Sequence, residues 1–151
     1  MSELSAGTLT AGALMSTPVV AVTVDHSLAA AWEAMRHRRT HHVAVLEDSR
    51  VMAVLDDRTV AAECPARGPD ASHRRRVGDI VRRGASCALP ETPAAIVARI
   101  MVETGTDAVP VVDRSGALIG LVTSTDLVAA VAAGAVATGP TRTTSEDVEH
   151  G

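Results

Sequence analysis

The chain is written twice. Laying Met35 on Met101, an offset of 66 positions, keeps similar residues in register for about fifty positions. Ala11-Gly12-Ala13-Leu14-Met15 falls on Val77-Gly78-Asp79-Ile80-Val81, and Thr40 to Glu47 falls on Thr106 to Asp113. One additional residue in the second copy moves the offset to 67, so Ala53 to Val60 lies on Gly120 to Leu127. A chain of 151 residues makes either one domain of ordinary size or two very small units sharing one core.

Composition says what that core is made of. Among 151 residues there is one Trp and no Phe or Tyr, so Val, Leu, Ile, Met and Ala must fill it. A net charge of −4 and the near absence of aromatic rings argue against nucleic-acid binding, which needs a cationic footprint and stacking surfaces. Cys64 and Cys87 stand far apart, outside any CxxC or zinc-type spacing, which predicts reduced thiols and a cytoplasmic setting. Glu3 and the scattered apolar residues around it do not make a secretory signal. The run Leu127 to Ala137 is too short to cross a bilayer and is broken by Gly134, so no membrane partner is expected.

Each copy reads as a helical turn, a strand, an amphipathic helix, two strands and a second helix. The first strands are expected at Val19 to Val24 and Ser86 to Leu89. In the second copy Thr92 is the expected cap, Pro93 the first helical residue and Gly105 the stop, with Ile96, Val97, Ile100 and Met101 on one face. Leu28, Ala31, Trp32 and Met35 form the equivalent stripe in the first. The strand pairs are His42 to Leu46 with Val51 to Leu55, and Ala108 to Val112 with Leu118 to Val122, the latter turning through Gly116. The organisation is then an N-terminal segment 1–9, a first repeat 10–64, a linker 65–75, a second repeat 76–134 and a disordered tail 135–151.

The stretch Gly116 to Val128 carries the functional signal, because an apolar strand ends abruptly in Thr123-Ser124-Thr125-Asp126. Ser124 or Thr125 can cap the helix that follows, leaving free amides and the helix dipole beside Thr123 and Asp126. A carboxylate there can accept from a ribose diol, and hydroxyl and amide groups can donate to phosphate. The plainer role for Asp126 is a favourable charge at a helix start.

Hydrophobic-Gly-hydrophobic-hydrophobic-Thr-x-x-Asp-Leu, preceded by Val109-Pro110-Val111-Val112-Asp113 and set in a doubled β-α-β-β-α order, resembles a pair of cystathionine β-synthase (CBS) domains over roughly Thr10 to Ala133. The first repeat is the weaker match, with Ala44, Ala53 and Thr59 where Pro, Gly and Asp are usual. The resemblance implies an α+β fold of two repeats packed sheet to sheet with pseudo-two-fold symmetry. It implies clefts that take adenosyl compounds, AMP, ADP or ATP before NAD or S-adenosylmethionine. It assigns Thr123 and Asp126 to phosphate and ribose, Ser86-Cys87-Ala88 to the base through the backbone, and Val109-Pro110 to the cleft wall. With Asp56 in place of a hydroxyl and Thr59 in place of the carboxylate, the first repeat sets an anion where an anionic ligand needs a donor.

Other motifs have narrower readings. Arg74-Arg75-Arg76 and Arg82-Arg83 are a solvated linker or, in part, a polyphosphate contact. His37 and His41 are separated by an expected helix end, and His41 and His42 point to opposite faces of a strand, which is a poor arrangement for a metal. Neither a nucleophile elbow nor a Walker-type loop occurs, so no enzymatic activity and no metal or cofactor is expected. The sequence therefore reads as a stand-alone, non-catalytic sensor of an adenine nucleotide that forms a homodimer and acts on an unidentified partner protein, the alternative being a ligand-free dimerisation scaffold.

Overall fold

The computed structural model describes residues 9–63 and 74–134. Cys64, most of the expected linker and the expected tail lie outside the described residues. The chain runs through α1 (Ala11–Leu14), β1 (Ala21–Thr23), α2 (Leu28–Arg38), β2 (His42–Glu47), β3 (Arg50–Asp56) and α3 (Asp57–Glu63). A 3-10 turn (Val77–Asp79) opens the second copy, followed by α4 (Ala94–Thr104), β4 (Ala108–Val112), β5 (Leu118–Thr123) and α5 (Ser124–Ala132).

The repeat seen in the sequence is repeated in the hydrogen bonding. β1 pairs parallel with β2, and β2 antiparallel with β3, whereas β4 and β5 form a two-stranded sheet. Val43 faces Leu55 as Val109 faces Val122, and Val45 faces Ala53 as Val111 faces Gly120. Both hairpins slip register at the same place, between Val45 and Leu46 and between Val111 and Val112. The expected strand Ser86 to Leu89 is reduced to one parallel bridge, Ala88 with Val111, matching Val22 with Val45 in the first copy. Gly84, at φ +95, turns the chain just before it, which leaves little length to pair.

The start of each copy packs on the other copy. Ala11 and Gly12 donate backbone N–H groups to Thr92 and Pro90, and Ser16 bridges to Leu121. In the same way Val77 and Gly78 donate to His26 and Val24, and Ala85 donates to Met52. Consequently one core gathers Val22, Leu28, Met35, Val43, Val45, Leu55 and Val60 with Val77, Ile80 and Val81. The other gathers Ala88, Val97, Met101, Val109, Val111 and Val122 with Ala11, Leu14 and Met15. Each fully buried Val or Leu stabilises such a core by roughly 1.5–3 kcal/mol. β3 and β4 lie against one another where the two units meet.

Local chemistry explains the element ends. Ser27 caps α2 by accepting from Ala30 N–H at 3.0 Å. Pro93, not Thr92, is the cap residue of α4, since the Thr92 hydroxyl accepts from Leu89 N–H at 3.0 Å instead. Gly105 stops α4 at φ +70, where Arg39 does the same for α2 at φ +54, a conformation costing a non-glycine residue about 1–2 kcal/mol.

Candidate functional site

Two helix starts, one per copy, carry the half-buried polar groups that the sequence singled out or their equivalents. At the second, Thr123 closes β5 and caps α5, its hydroxyl accepting from Asp126 N–H at 3.3 Å. Asp126 Oδ2 accepts in return from Thr123 N–H at 2.7 Å and from the Thr123 hydroxyl at 3.0 Å. This reciprocal box satisfies two donors that a helix start leaves orphaned, which is why Thr123 caps the helix and not Ser124 or Thr125. Ser124 instead gives its N–H to the Asp107 carbonyl at 2.9 Å, and Thr125 is exposed. Asp126 is half-buried, and both its bonds fall on Oδ2, so Oδ1 has no hydrogen-bond partner among the described residues.

The first helix start is built with the same two residue types in reverse order. Asp56 Oδ1 accepts from Thr59 N–H at 2.7 Å, and Asp57 gives its N–H to the His41 carbonyl at 3.0 Å, the counterpart of Ser124 and Asp107. Burial pushes the Asp56 carboxyl up, but hydrogen bonds from the Thr59 hydroxyl and N–H, with His42 and Arg58 close by, pull it further down, to below the usual aspartate value. Asp56 is therefore an anion at neutral pH.

A cleft of about 400 Å³ opens beside that first helix start. Asp56, Thr59 and Val54 form one wall, and Ile80, Arg82 and Ser86 from the lead-in of the second copy form another. A second cleft of about 390 Å³ shares Val54, Asp56, Thr59 and Thr106 and adds His42, Arg58 and Asp107. His42 Nε2 and Asp107 Oδ1 stand 3.0 Å apart with the imidazole 12% exposed, and Arg58 lies 3.8 Å from Asp107, so the two copies are clasped by polar side chains at the cleft. A volume of this order, with apolar walls and a few convergent polar groups, has the character of a small-molecule site.

The expected site residues do not all come together. Ser86 and Pro110 line the 400 Å³ cleft, on the side of Asp56 and Thr59. Ala88 and Val109 belong to the core of the second unit, and both backbone polar groups of Ala88 are taken, its N–H by Pro110 and its carbonyl by Val112. Cys87 is half-buried, and burial pushes its thiol up. Thr123 to Asp126 lie at the other helix start, where Ser16 meets Leu121 and a Cβ on Gly120 would overlap the Met15 thioether. What the sequence reading missed is this exchange of lead-ins, together with Thr106 and Asp107 at the cleft. Doubling the register predicts which residues are equivalent but not which copy covers which.

The arginines divide by role. Arg75 binds the Glu63 carboxylate at 2.8 Å, Arg76 reaches the Asp25 carbonyl at 3.2 Å, and Arg83 pairs with Glu47, while Arg82 faces the cleft and has no ion-pair partner among the described residues. His41 binds Asp57 at 2.8 Å and His42 binds Asp107 at 3.0 Å, so each ring is held by a different carboxylate. No helix among the described residues is long and apolar enough to cross a membrane.

Known proteins share this arrangement. The chain is 29% identical over 115 residues to the choline transport ATP-binding protein OpuBA of Bacillus subtilis (strain 168), a match covering 76% of this chain and 29% of that protein. The cytosolic domain of the Mg2+ channel MgtE, solved in complex with ATP, superposes with a TM-score of 0.65 at 26% identity, over 80% of this chain and 48% of the other. The CBS domain pair of MJ0100, solved with 5′-methylthioadenosine and S-adenosyl-L-methionine, superposes with a TM-score of 0.73 at 19% identity, over 84% of this chain and 98% of that one. The chain thus spans less than a third of the curated relative and about half of the channel domain. The family model for the CBS domain matches twice, at residues 11–65 and 77–133, and with the doubled register, the exchanged lead-ins and the two capped helix starts this makes the chain a tandem pair of CBS domains.

Proposed function

We propose that this CBS pair is a non-catalytic regulatory module that binds an adenosyl compound of the AMP, ADP or ATP class and passes its occupancy to a partner protein. The observation that carries the reading is Asp126, a half-buried carboxylate at a helix start with Oδ2 held by Thr123 and Oδ1 open to a diol. Thr123, Ser124 and Thr125 supply hydroxyls at the same helix start, and the Ser16 lead-in, rather than Ser86 to Ala88, lies beside them for the base. MgtE with ATP, and the MJ0100 pair with two adenosyl compounds, support this ligand class. Regulation follows only if the ligand prefers one arrangement of the pair over another.

A second placement is favoured by a specific observation: the 400 Å³ cleft at Asp56 and Thr59, with Arg82 on its wall and Arg58 in the adjoining space, offers room and cationic groups for a phosphate. Thermal shift with AMP, ADP, ATP, NAD and S-adenosylmethionine selects the ligand, because binding to the native state raises the melting point. Isothermal titration of Asp126→Ala and Asp56→Ala with that ligand then assigns the site. Loss with Asp126→Ala alone supports the first placement, loss with Asp56→Ala alone supports the second, and no shift with any compound refutes the function. We also infer that the module is a homodimer in the cytoplasm. Light scattering giving a monomer mass at micromolar concentration refutes the pairing.

A further inference from the structure

A pocket of about 280 Å³ opens where α2 ends and α3 begins, and it shares no lining residue with the two clefts. Its walls are Trp32, Met35, Arg36 and Arg39 from the end of α2, with His41 and Asp57. Met35 is buried, and Trp32, the one aromatic ring of the chain, packs on the first core while remaining half-buried. The second unit repeats the backbone here but none of the chemistry, because the equivalents of Trp32, Arg36, Arg39, His41 and Asp57 are Ala98, Val102, Gly105, Asp107 and Ser124. The fold therefore does not require these side chains. Arg39 even holds φ +54, the left-handed conformation that Gly105 adopts without strain in the second unit.

The two guanidinium groups are not consumed by the structure around them. The Met35 and Arg36 carbonyls at the helix end are met by the backbone N–H groups of Thr40 and Arg39, at 2.9 and 3.2 Å, so the side chains are not needed as caps. Asp57 is held by the His41 ring at 2.8 Å, and neither Arg36 nor Arg39 forms an ion pair among the described residues. Glu33, one turn back on α2, is exposed and is not part of the lining. Two guanidinium groups against one carboxylate leave the lining with one net positive charge while His41 is neutral.

We propose that this pocket is an additional small-molecule site, separate from the clefts, that takes a monocarboxylate carried on an aromatic ring. The ring lies against the Trp32 indole and the Met35 thioether, and the carboxylate accepts from Arg36 and Arg39. A single carboxylate matches the net charge of the lining better than a doubly charged phosphate ester does, and a volume of this order suits a one-ring ligand.

Trp32 is its own reporter, since the chain has one Trp and no Tyr. Benzoate titrated into the full chain at constant ionic strength is expected to change the Trp32 fluorescence saturably. Benzamide, its neutral isostere, benzamidine, its cationic one, and acetate, which lacks the ring, should not saturate, and phenyl phosphate should bind more weakly than benzoate. Arg36→Gln with Arg39→Gly should weaken benzoate about tenfold or more. Arg39→Gly alone should also weaken it while the urea midpoint holds or rises, because glycine suits the left-handed position; a structural role for Arg39 would lower the midpoint. A linear response to benzoate, equal binding of benzamide, or affinity unchanged in the double variant overturns the site. Competition between AMP and benzoate would move the benzoate into a cleft and overturn it as well, whereas absence of AMP binding bears only on the nucleotide reading.

Discussion

The two helix starts of this CBS pair solve one problem in opposite orders. Asp56-x-x-Thr59 and Thr123-x-x-Asp126 each close a β-strand, cap a helix and leave the next backbone N–H to a carbonyl of the neighbouring strand start, His41 or Asp107. Stability needs only that one short polar side chain accept from the amide three residues on, and Asp and Thr both qualify. Ligand chemistry is less permissive, because exchanging the two moves the carboxylate from the helix to the strand end. There Asp56 shares a cleft with Arg58 and Arg82, whereas Asp126 keeps an oxygen free at the other start. A fold can thus be kept by the same pair of residues in either order, while the order changes where the carboxylate stands.

The surroundings of the two starts differ as well, and here the largest effect is expected. Gly120 lies under Met15, while at the equivalent place Ala53 stands in the wall of the open cleft with Val81 nearby. Gly120→Val should therefore force Met15 out of the second core and destabilise the fold by about 1–3 kcal/mol. Ala53→Gly should cost about 1 kcal/mol or less. Urea denaturation of both variants checks the order, and equal losses would mean that the two sites are packed alike.

How far this could be read in advance divides along the same line. The doubled register predicted both hairpins, including the extra residue that carries the offset from 66 to 67, because local alternation of apolar residues fixes a hairpin. Thr123 and Asp126 stood out because Thr-x-x-Asp at the end of an apolar strand is a local pattern. The partners of each helix start did not stand out, since Ser16 with Leu121 and Ala85 with Met52 are contacts between copies, set by tertiary packing and not by nearby residues. Assigning Ser86 to Ala88 to the Asp126 site followed the order of the chain, and the lead-ins run the other way. The same non-local packing leaves Arg82 on the cleft wall while Arg83, its neighbour, is held by Glu47.

Ligand binding is the next test of the asymmetry. Asp126→Ala should weaken the ligand chosen by thermal shift about tenfold or more, as hydrogen bonds to a charged acceptor worth ~1.5–3 kcal/mol each are lost. Thr59→Ala should leave affinity within about twofold, the scale of an ordinary surface change. Equal weakening in titration calorimetry would put the ligand in contact with both starts.

Acid stability separates the caps themselves. The Asp56 carboxyl is held below its ordinary value in the fold, so its contribution is complete above the unfolded value near pH 3.9 and is lost as pH falls through the folded value. Thr59→Val removes the hydroxyl donor but keeps the amide, so it should flatten the fall in stability below about pH 4 and leave stability at pH 7 lower by ~0.5–1.5 kcal/mol, the worth of one hydrogen bond. Urea midpoints measured from pH 7 to pH 2.5 would show this, and an unchanged acid limb would mean that Asp56 is held by other groups.

The smallest change in stability should come from the substitution that reverses the comparison. Asp56→Thr with Thr59→Asp writes the order of the second helix start into the first. The cap acceptor is kept, since the introduced hydroxyl would accept from the amide three residues on and the introduced carboxylate from the amide three residues back, so stability should shift by no more than about 0.5 kcal/mol. What changes is where the carboxylate stands: it moves into the first turn of α3, and a neutral hydroxyl replaces the anion at the strand end, facing a cleft that Arg82 and Ser86 already line. If the order of the pair decides ligand capacity, the double variant should bind two ligands per chain where the wild type binds one, with the Asp126 site unaffected. Titration calorimetry reads that stoichiometry directly. A wild-type stoichiometry of two, or a double variant still at one, would show that the cleft and not the order of Thr and Asp sets what each half of the pair can hold.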